Sequence, residues 1–365
     1  MLETEKKEKR EKEISPLLTI LQIELKNKKE EEPMTFKDAV CLKYNIKSTT
    51  DSKKVFERYV KEFYKALDKD EFVVPNTEKR KGITVHKTNG PLIRNNEAKS
   101  LTQEEAKYRI IGHKDESVLE GIICGGFYGR PRNARQLKNK NLKKEVTKED
   151  VITDNYYMYL YMPMDYHIGY LLLQYYPEIT IKSELIKFLE RTLKPKRASY
   201  SIETTYYCDD EMKENFSNES ILDHLIFKDT FINGDTINEE DGIENKEIGG
   251  VRLKLEVSSL EDEPIQYPQI KDFLKRISNI FLNQKQTRDF KEKRITLKNR
   301  NTGKTTTYDI DGDLKLRPAI LLCECITVDD TGIPDFIELK KFCTNKMEEI
   351  KEKTLPGYEK KVQDI

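Results

Sequence analysis

The chain has 365 residues, enough for about two domains at roughly 150 residues each, and its 65 Lys+Arg balance its 65 Asp+Glu to a formal net charge of zero. That balance excludes whole-molecule attraction to nucleic acid or acidic membranes, so any anionic partner has to be met by a local patch. Hydrophobic residues make up 36% of the chain, and no run approaches about 18 consecutive apolar residues, which argues against a membrane span.

The first residues, 1–13, form a mixed-charge head without an apolar stretch, so no secretory signal is read there. The six cysteines (Cys41, Cys124, Cys208, Cys323, Cys325, Cys343) include no CxxC pair and fit free, buried thiols in a reducing cytoplasm. Leu17 to Leu25 is a β-type run. Ser48 to Leu67 carries Val55, Tyr59, Val60, Phe63, Tyr64 and Leu67 at helical spacing. Short strands are predicted at 83–86 and 108–112, with Asn89-Gly90 as a turn, and Leu119 to Phe127 reads as an apolar strand ending at paired glycines.

The strongest local signal follows. Tyr156 to Tyr161 and Ile168 to Tyr175 read as a hairpin across the Pro163-Met164-Asp165 turn, and a helix is predicted over Thr180 to Leu193. Further on, Val251 to Val257 alternates as a strand and Asp272 to Leu282 has helical spacing. Arg294 to Leu297 and Thr305 to Ile310 form a second hairpin, Pro318 to Ile326 a strand, and Asp335 to Lys353 a closing amphipathic helix. The expected fold class is therefore α+β, with two domains of mixed or antiparallel sheets flanked by helices. The expected layout is a charged tail at 1–13, an N-terminal α+β domain at 14–200, an acidic linker at 201–250 and a C-terminal α+β domain at 251–365.

Chemistry-bearing motifs are sparse. Gly303-Lys304-Thr305 resembles the end of a P-loop, but Lys298 stands where the first glycine belongs, and a strand rather than a helix follows. The glycines Gly125, Gly126 and Gly129 suit the end of a buried strand better than a phosphate loop. Asp309, Asp311 and Asp313 offer carboxylates for a metal-dependent nuclease, although turn chemistry explains them as well. The histidines His86, His113, His167 and His224 are scattered singly, with no ligand spacing. No catalytic residue, metal site or cofactor is assigned from these features.

Basic clustering is what remains. Residues 130–144 hold Arg130, Arg132, Arg135, Lys138, Lys140, Lys143 and Lys144 with no acid among them. A second cluster holds Lys275, Arg276, Lys285, Arg288, Lys291, Lys293, Arg294, Lys298, Arg300 and Lys304, against only Asp289 and Glu292. Cations at this density suit phosphate contacts, and the neighbouring Asn and Gln side chains add donors. Two other readings stay open: a solvated surface balanced by the acidic stretches at 209–220 and 235–247, and a protein-binding adaptor.

The order VRLKLEV, basic helix, RITLKNRNTGKTTTYDIDGDLKLRPA hairpin and DFIELKKFCTNKMEEI helix resembles the C-terminal part of the RexA/KwaB group of anti-phage defence proteins. The YYMYLYMPMDYHIGYLLLQYY hairpin with its following helix is similar to another segment of that group, so the likeness spans about 150–365. It implies a cytoplasmic, homodimeric, sequence-nonspecific binder of double-stranded DNA. Such a protein would work in superinfection exclusion or abortive infection beside a membrane-protein partner, without inserting into the membrane itself. No signature motif transfers contact residues, so the basic residues named above rest on charge clustering alone. The region before 150 departs from the pattern.

Overall fold

The computed structural model describes residues 16–27, 34–94, 108–136, 139–176, 180–195, 200–207, 220–231, 251–260, 265–266, 269–270, 272–273, 292–299, 305–310 and 316–355. The fold is α+β, and the chain divides into two compact units: Met1–Thr205 with Leu322–Ile365, and Tyr206–Leu321.

The first unit is built on one sheet. Its strands are β1 (Leu17–Asn27), β2 (Lys81–Val85), β3 (Leu92–Arg94), β4 (Ile111–His113), β5 (Val118–Phe127), β8 (Ile152–Tyr161), β9 (Ile168–Tyr175) and β10 (Tyr200–Tyr206), with β6 (Arg132–Gln136) and β7 (Asn139–Val146) forming a separate two-stranded ribbon. The order runs β10-β1-β9-β8-β5, and the far edge of β5 is shared by β2 and by β4, which carries β3. Strands β8 and β9 pair antiparallel from Met158↔Leu173 to Tyr161↔Tyr170, which is the hairpin expected from the sequence. The pair β3–β4 is parallel.

Helices cover both faces, which is why Tyr156–Tyr161 and Gly169–Tyr175 are buried on every residue instead of alternating. On one face lie α1 (Phe36–Tyr44), α2 (Ser52–Leu67) and α3 (Lys182–Leu193). Asp51 caps α2 by accepting from the Lys53 and Lys54 amides. The apolar stripe of α2 meets α3 where the Phe63 and Phe188 rings pack edge to face at 5.2 Å. On the other face α4 (Phe336–Thr354) runs over Tyr157, Tyr161 and Tyr170. Asp335 caps it by accepting from the Ile337 and Glu338 amides. Each of the large fully buried side chains, Tyr59, Phe56 and Phe63 among them, contributes about 1.5–3 kcal/mol of transfer free energy.

The paired glycines of β5 are packing residues. A Cβ on Gly126 would collide with the Ile152 carbonyl of β8, and one on Gly125 would lie 2.8 Å from Ile181 of the α3 N-terminus. Gly126→Ala is therefore expected to destabilise the first unit by about 1–3 kcal/mol in urea unfolding. A variant as stable as the parent would show that β5 and β8 can separate at no cost.

The second unit is an antiparallel sheet in the order β12 (Val251–Ser258), β11 (Ser220–Phe231), β13 (Glu292–Asn299), β14 (Thr305–Ile310), β15 (Leu316–Leu321). Leu222, Leu225, Phe227, Ile270, Ile295 and Leu297 form its core, with Leu255 and Val257 of β12 packed against it. Lys254 and Glu256 point the other way and pair at 3.1 Å, as the alternation of β12 requires. The predicted 294–297/305–310 hairpin is present, with Lys298 opposite Thr305.

Three expectations differ from what is observed. The boundaries 14–200, 201–250 and 251–365 cut the chain differently, because residues from Leu322 onward, α4 included, rejoin the first unit. Strand β15 ends at Leu321, and a single 3₁₀ turn, Leu322–Glu324, replaces the rest of the expected Pro318–Ile326 strand. Cys323 and Cys325 are therefore not buried together on a strand face: Cys323 is half-buried and Cys325 exposed, whereas Cys41, Cys124 and Cys343 are buried as expected. Most of the helix expected at 272–282 lies outside the described residues.

Candidate nucleic-acid interface

The first basic cluster folds into β6 and β7. Arg132 stands opposite Val146, Asn133 opposite Glu145, Ala134 opposite Lys144 and Arg135 opposite Lys143, and the register shifts between Arg135 and Gln136. Arg130, Arg132, Asn133, Ala134, Lys143, Lys144 and Glu145 are all exposed. Adjacent positions of a strand point to opposite sides, so the ribbon presents both of its faces to solvent.

The base of this arm is fixed by backbone hydrogen bonds. Gly129, at φ 87°, donates its amide to the Lys148 carbonyl at 2.8 Å, and Tyr128 donates to the Arg80 carbonyl at 3.1 Å. Asp150 accepts from the Thr147 amide at 2.7 Å and the Thr147 hydroxyl at 3.0 Å. The backbone hydrogen bond from Thr147 holds its carboxyl below the ordinary range. These bonds set the point at which the chain leaves and re-enters the main sheet.

The second cluster is only partly a surface. Lys293 and Arg294 are 8% and 5% exposed, and Lys293 shares the face of β13 that carries the core residues Ile295 and Leu297. Neither presents its charge as a phosphate contact requires, which corrects the expectation for these two. Lys298, at the end of β13, is exposed. Lys138, Lys275, Arg276, Arg300 and Lys304 lie outside the described residues, as do Asp311 and Asp313. Asp309 lies on β14, opposite Arg294 in register. Among the described residues no group of three or more His, Cys, Asp or Glu side chains is placed to hold a metal ion, and no helix is long and apolar enough to cross a membrane.

Two clusters that the sequence did not reveal lie on the α4 side of the first sheet. Glu120 of β5, 2% exposed, meets His113 Nε2 at 2.6 Å and Lys340 Nζ at 2.5 Å through Oε1, and accepts from the Tyr157 hydroxyl at 2.5 Å through Oε2. Burial alone would raise its carboxyl, but the His113 hydrogen bond and the Lys340 charge outweigh that and bring it down to about 2. Three donors on a buried carboxylate make it a structural acceptor. The cluster clamps β4, β5, β8 and α4 together.

Four residues along the same face of β5, Cys124 Sγ lies 3.0 Å from His86 Nε2 and 3.1 Å from Asn155 Oδ1, and His86 Nε2 is itself 3.1 Å from Asn155 Oδ1. A Cys-His-Asn nucleophile needs the amide on the far ring nitrogen, so that one nitrogen is oriented while the other takes the thiol proton. Here both partners converge on Nε2, and burial pushes the Cys124 thiol up to about 11. The trio is a closed hydrogen-bonded set rather than an activated thiol.

The sequence pointed to the arm by charge alone; its β pairing had no apolar alternation to betray it. The Arg80 turn beneath the arm, flanked by Lys79 and Lys81, was missed because it lies 50 residues upstream of Arg130. No protein-family model, curated protein or solved structure matches this chain.

Proposed function

We propose that this protein is a non-enzymatic, largely sequence-nonspecific binder of double-stranded DNA that acts in bacterial anti-phage defence. One observation carries the reading: the stretch 130–144 holds seven cations and no acid on a chain whose net charge is zero, and its described cations, Arg130, Arg132, Lys143 and Lys144, are all exposed on or beside a two-stranded ribbon. Charge concentrated in this way serves a polyanion better than it serves solubility, which an even distribution would provide. The defence context, a homodimer, a cytoplasmic site of action and a membrane-protein partner follow from the resemblance to the RexA/KwaB group.

A mobility-shift titration of duplex DNA at 50 and 200 mM salt, with and without Mg²⁺, tests the proposal. Counterion release makes affinity fall by about 10³-fold or more over that range for six or more phosphate contacts. A salt-sensitive shift with intact DNA supports the reading. Cleavage that needs Mg²⁺ would replace it with the nuclease reading, and no shift at 50 mM would leave the adaptor reading.

A further inference from the structure

We infer that the β6–β7 arm is a ribbon that enters the major groove of B-form duplex DNA, with Arg80 and Lys148 at its base contacting the flanking phosphates. This rests on the nucleic-acid reading above and specifies the form of nucleic acid that the arm accepts.

The described side chains of the arm face solvent rather than a core. Both faces are exposed at Arg132, Asn133, Ala134, Lys143, Lys144 and Glu145, and an isolated two-stranded ribbon is marginal in water. Its register sets Arg135 directly opposite Lys143, and like charges in facing positions destabilise a strand pair. A polyanion on both sides of the ribbon relieves that repulsion, whereas solvent only screens it.

The composition selects among nucleic acids. Residues 129–150 contain no Phe, Tyr, Trp or His, so the arm offers no ring on which unpaired bases could stack, which is how single strands are held. It carries instead Asn133, Gln136, Asn139 and Asn141 between its cations, and carboxamides add hydrogen bonds to the phosphates that cations hold. Two strands about 4.8 Å apart, with side chains on both faces, suit a groove about 12 Å wide. The major groove of A-form RNA is deep and too narrow to admit such a ribbon.

The base of the arm supplies the flanking contacts. Arg80 is exposed and takes a left-handed backbone at φ 49°, a conformation that costs a non-glycine residue energy and gathers at functional sites. Its carbonyl accepts the Tyr128 amide, and a Cβ on Gly129 would lie 3.2 Å from Arg80 Cδ, which puts the Arg80 side chain alongside the root of the arm. Lys148, in the turn that follows β7, is exposed and linked to Gly129 through its carbonyl.

The test is fluorescence anisotropy with the full chain and three labelled 20-mers of one sequence: DNA duplex, RNA duplex and single-stranded DNA, at one salt concentration. The DNA duplex is expected to bind at least tenfold tighter than either of the others. Glucosylated hydroxymethylcytosine, which fills the major groove, should weaken duplex binding at least tenfold, and netropsin, which fills the minor groove, should leave it unchanged. Arg80→Asn keeps a residue that tolerates the left-handed backbone and should lower the salt slope by about 0.9 with an unchanged melting temperature. Equal binding of all three nucleic acids, or indifference to glucosylation, overturns the groove inference and leaves the general reading standing. An unchanged slope for Arg80→Asn overturns the base contact. No binding to any of them removes the inference together with the reading beneath it.

Discussion

Removing the Glu120 carboxylate is expected to cost about 3–5 kcal/mol of unfolding free energy, among the largest effects of any single substitution in the first unit. Glu120→Ala leaves the Lys340 ammonium, His113 and the buried Tyr157 hydroxyl facing one another without the acceptor that now joins them, and breaking a buried ion pair from one side has that magnitude. The pH dependence has a definite sign. The carboxyl sits near 2 in the folded chain against about 4.5 when unfolded, so its contribution is complete above about pH 4.5. It is lost as pH falls from there through about 2, on the order of 3 kcal/mol in all. Glu120→Gln should abolish that acid limb while keeping the shape of the side chain. Urea unfolding at pH 7 and pH 3.5 reads both effects. A Glu120→Gln variant within 0.5 kcal/mol of the parent at pH 7 would mean that the clamp contributes nothing net.

The second large effect concerns the arm. Reversing Arg132, Lys143 and Lys144 to Glu should reduce duplex-DNA affinity at least a hundredfold at 100 mM salt. Each lost phosphate contact takes about 0.9 from the slope of log K against log salt, so the triple variant should lose about 2.7 from its slope, if all three make such contacts. All three residues are exposed on a ribbon paired only within itself, so thermal stability should stay close to the parent value. Affinity and slope unchanged in the variant would move the footprint away from the arm. Affinity lost at a single DNA sequence but kept at others would mean base readout rather than backbone neutralisation.

Elements with an apolar signature were legible in the sequence. The Tyr156–Tyr161/Ile168–Tyr175 hairpin, the α2 stripe from Val55 to Leu67 and the closing helix stand close to where periodicity puts them, because burial fixes both their period and their register. Three things were not legible. Strands β6 and β7 show no apolar alternation, and their described side chains at 132–134 and 143–145 are exposed, so only their charge is visible in the sequence. The burial of Lys293 and Arg294 depends on the covering of the faces of β13, a fact of packing that composition does not carry. The Glu120–His113–Lys340 and Cys124–His86–Asn155 clusters join residues from distant segments, and a lone histidine or glutamate in a strand gives no sign of its partner.

The return of α4 to the first unit has a consequence for the order in which the molecule can be made. Residues 206–321 are synthesised between the sheet of that unit and the helix that covers its Glu120 face. At 5–20 residues per second a ribosome needs on the order of ten seconds to cross that stretch. Throughout that interval the face bearing Glu120, Tyr157 and Tyr161 is without its cover, so the nascent chain presents an apolar, tyrosine-rich surface that chaperones recognise. Synthesis of α4 is thus what ends this exposure, and a chain truncated before Asp335 would remain a chaperone client.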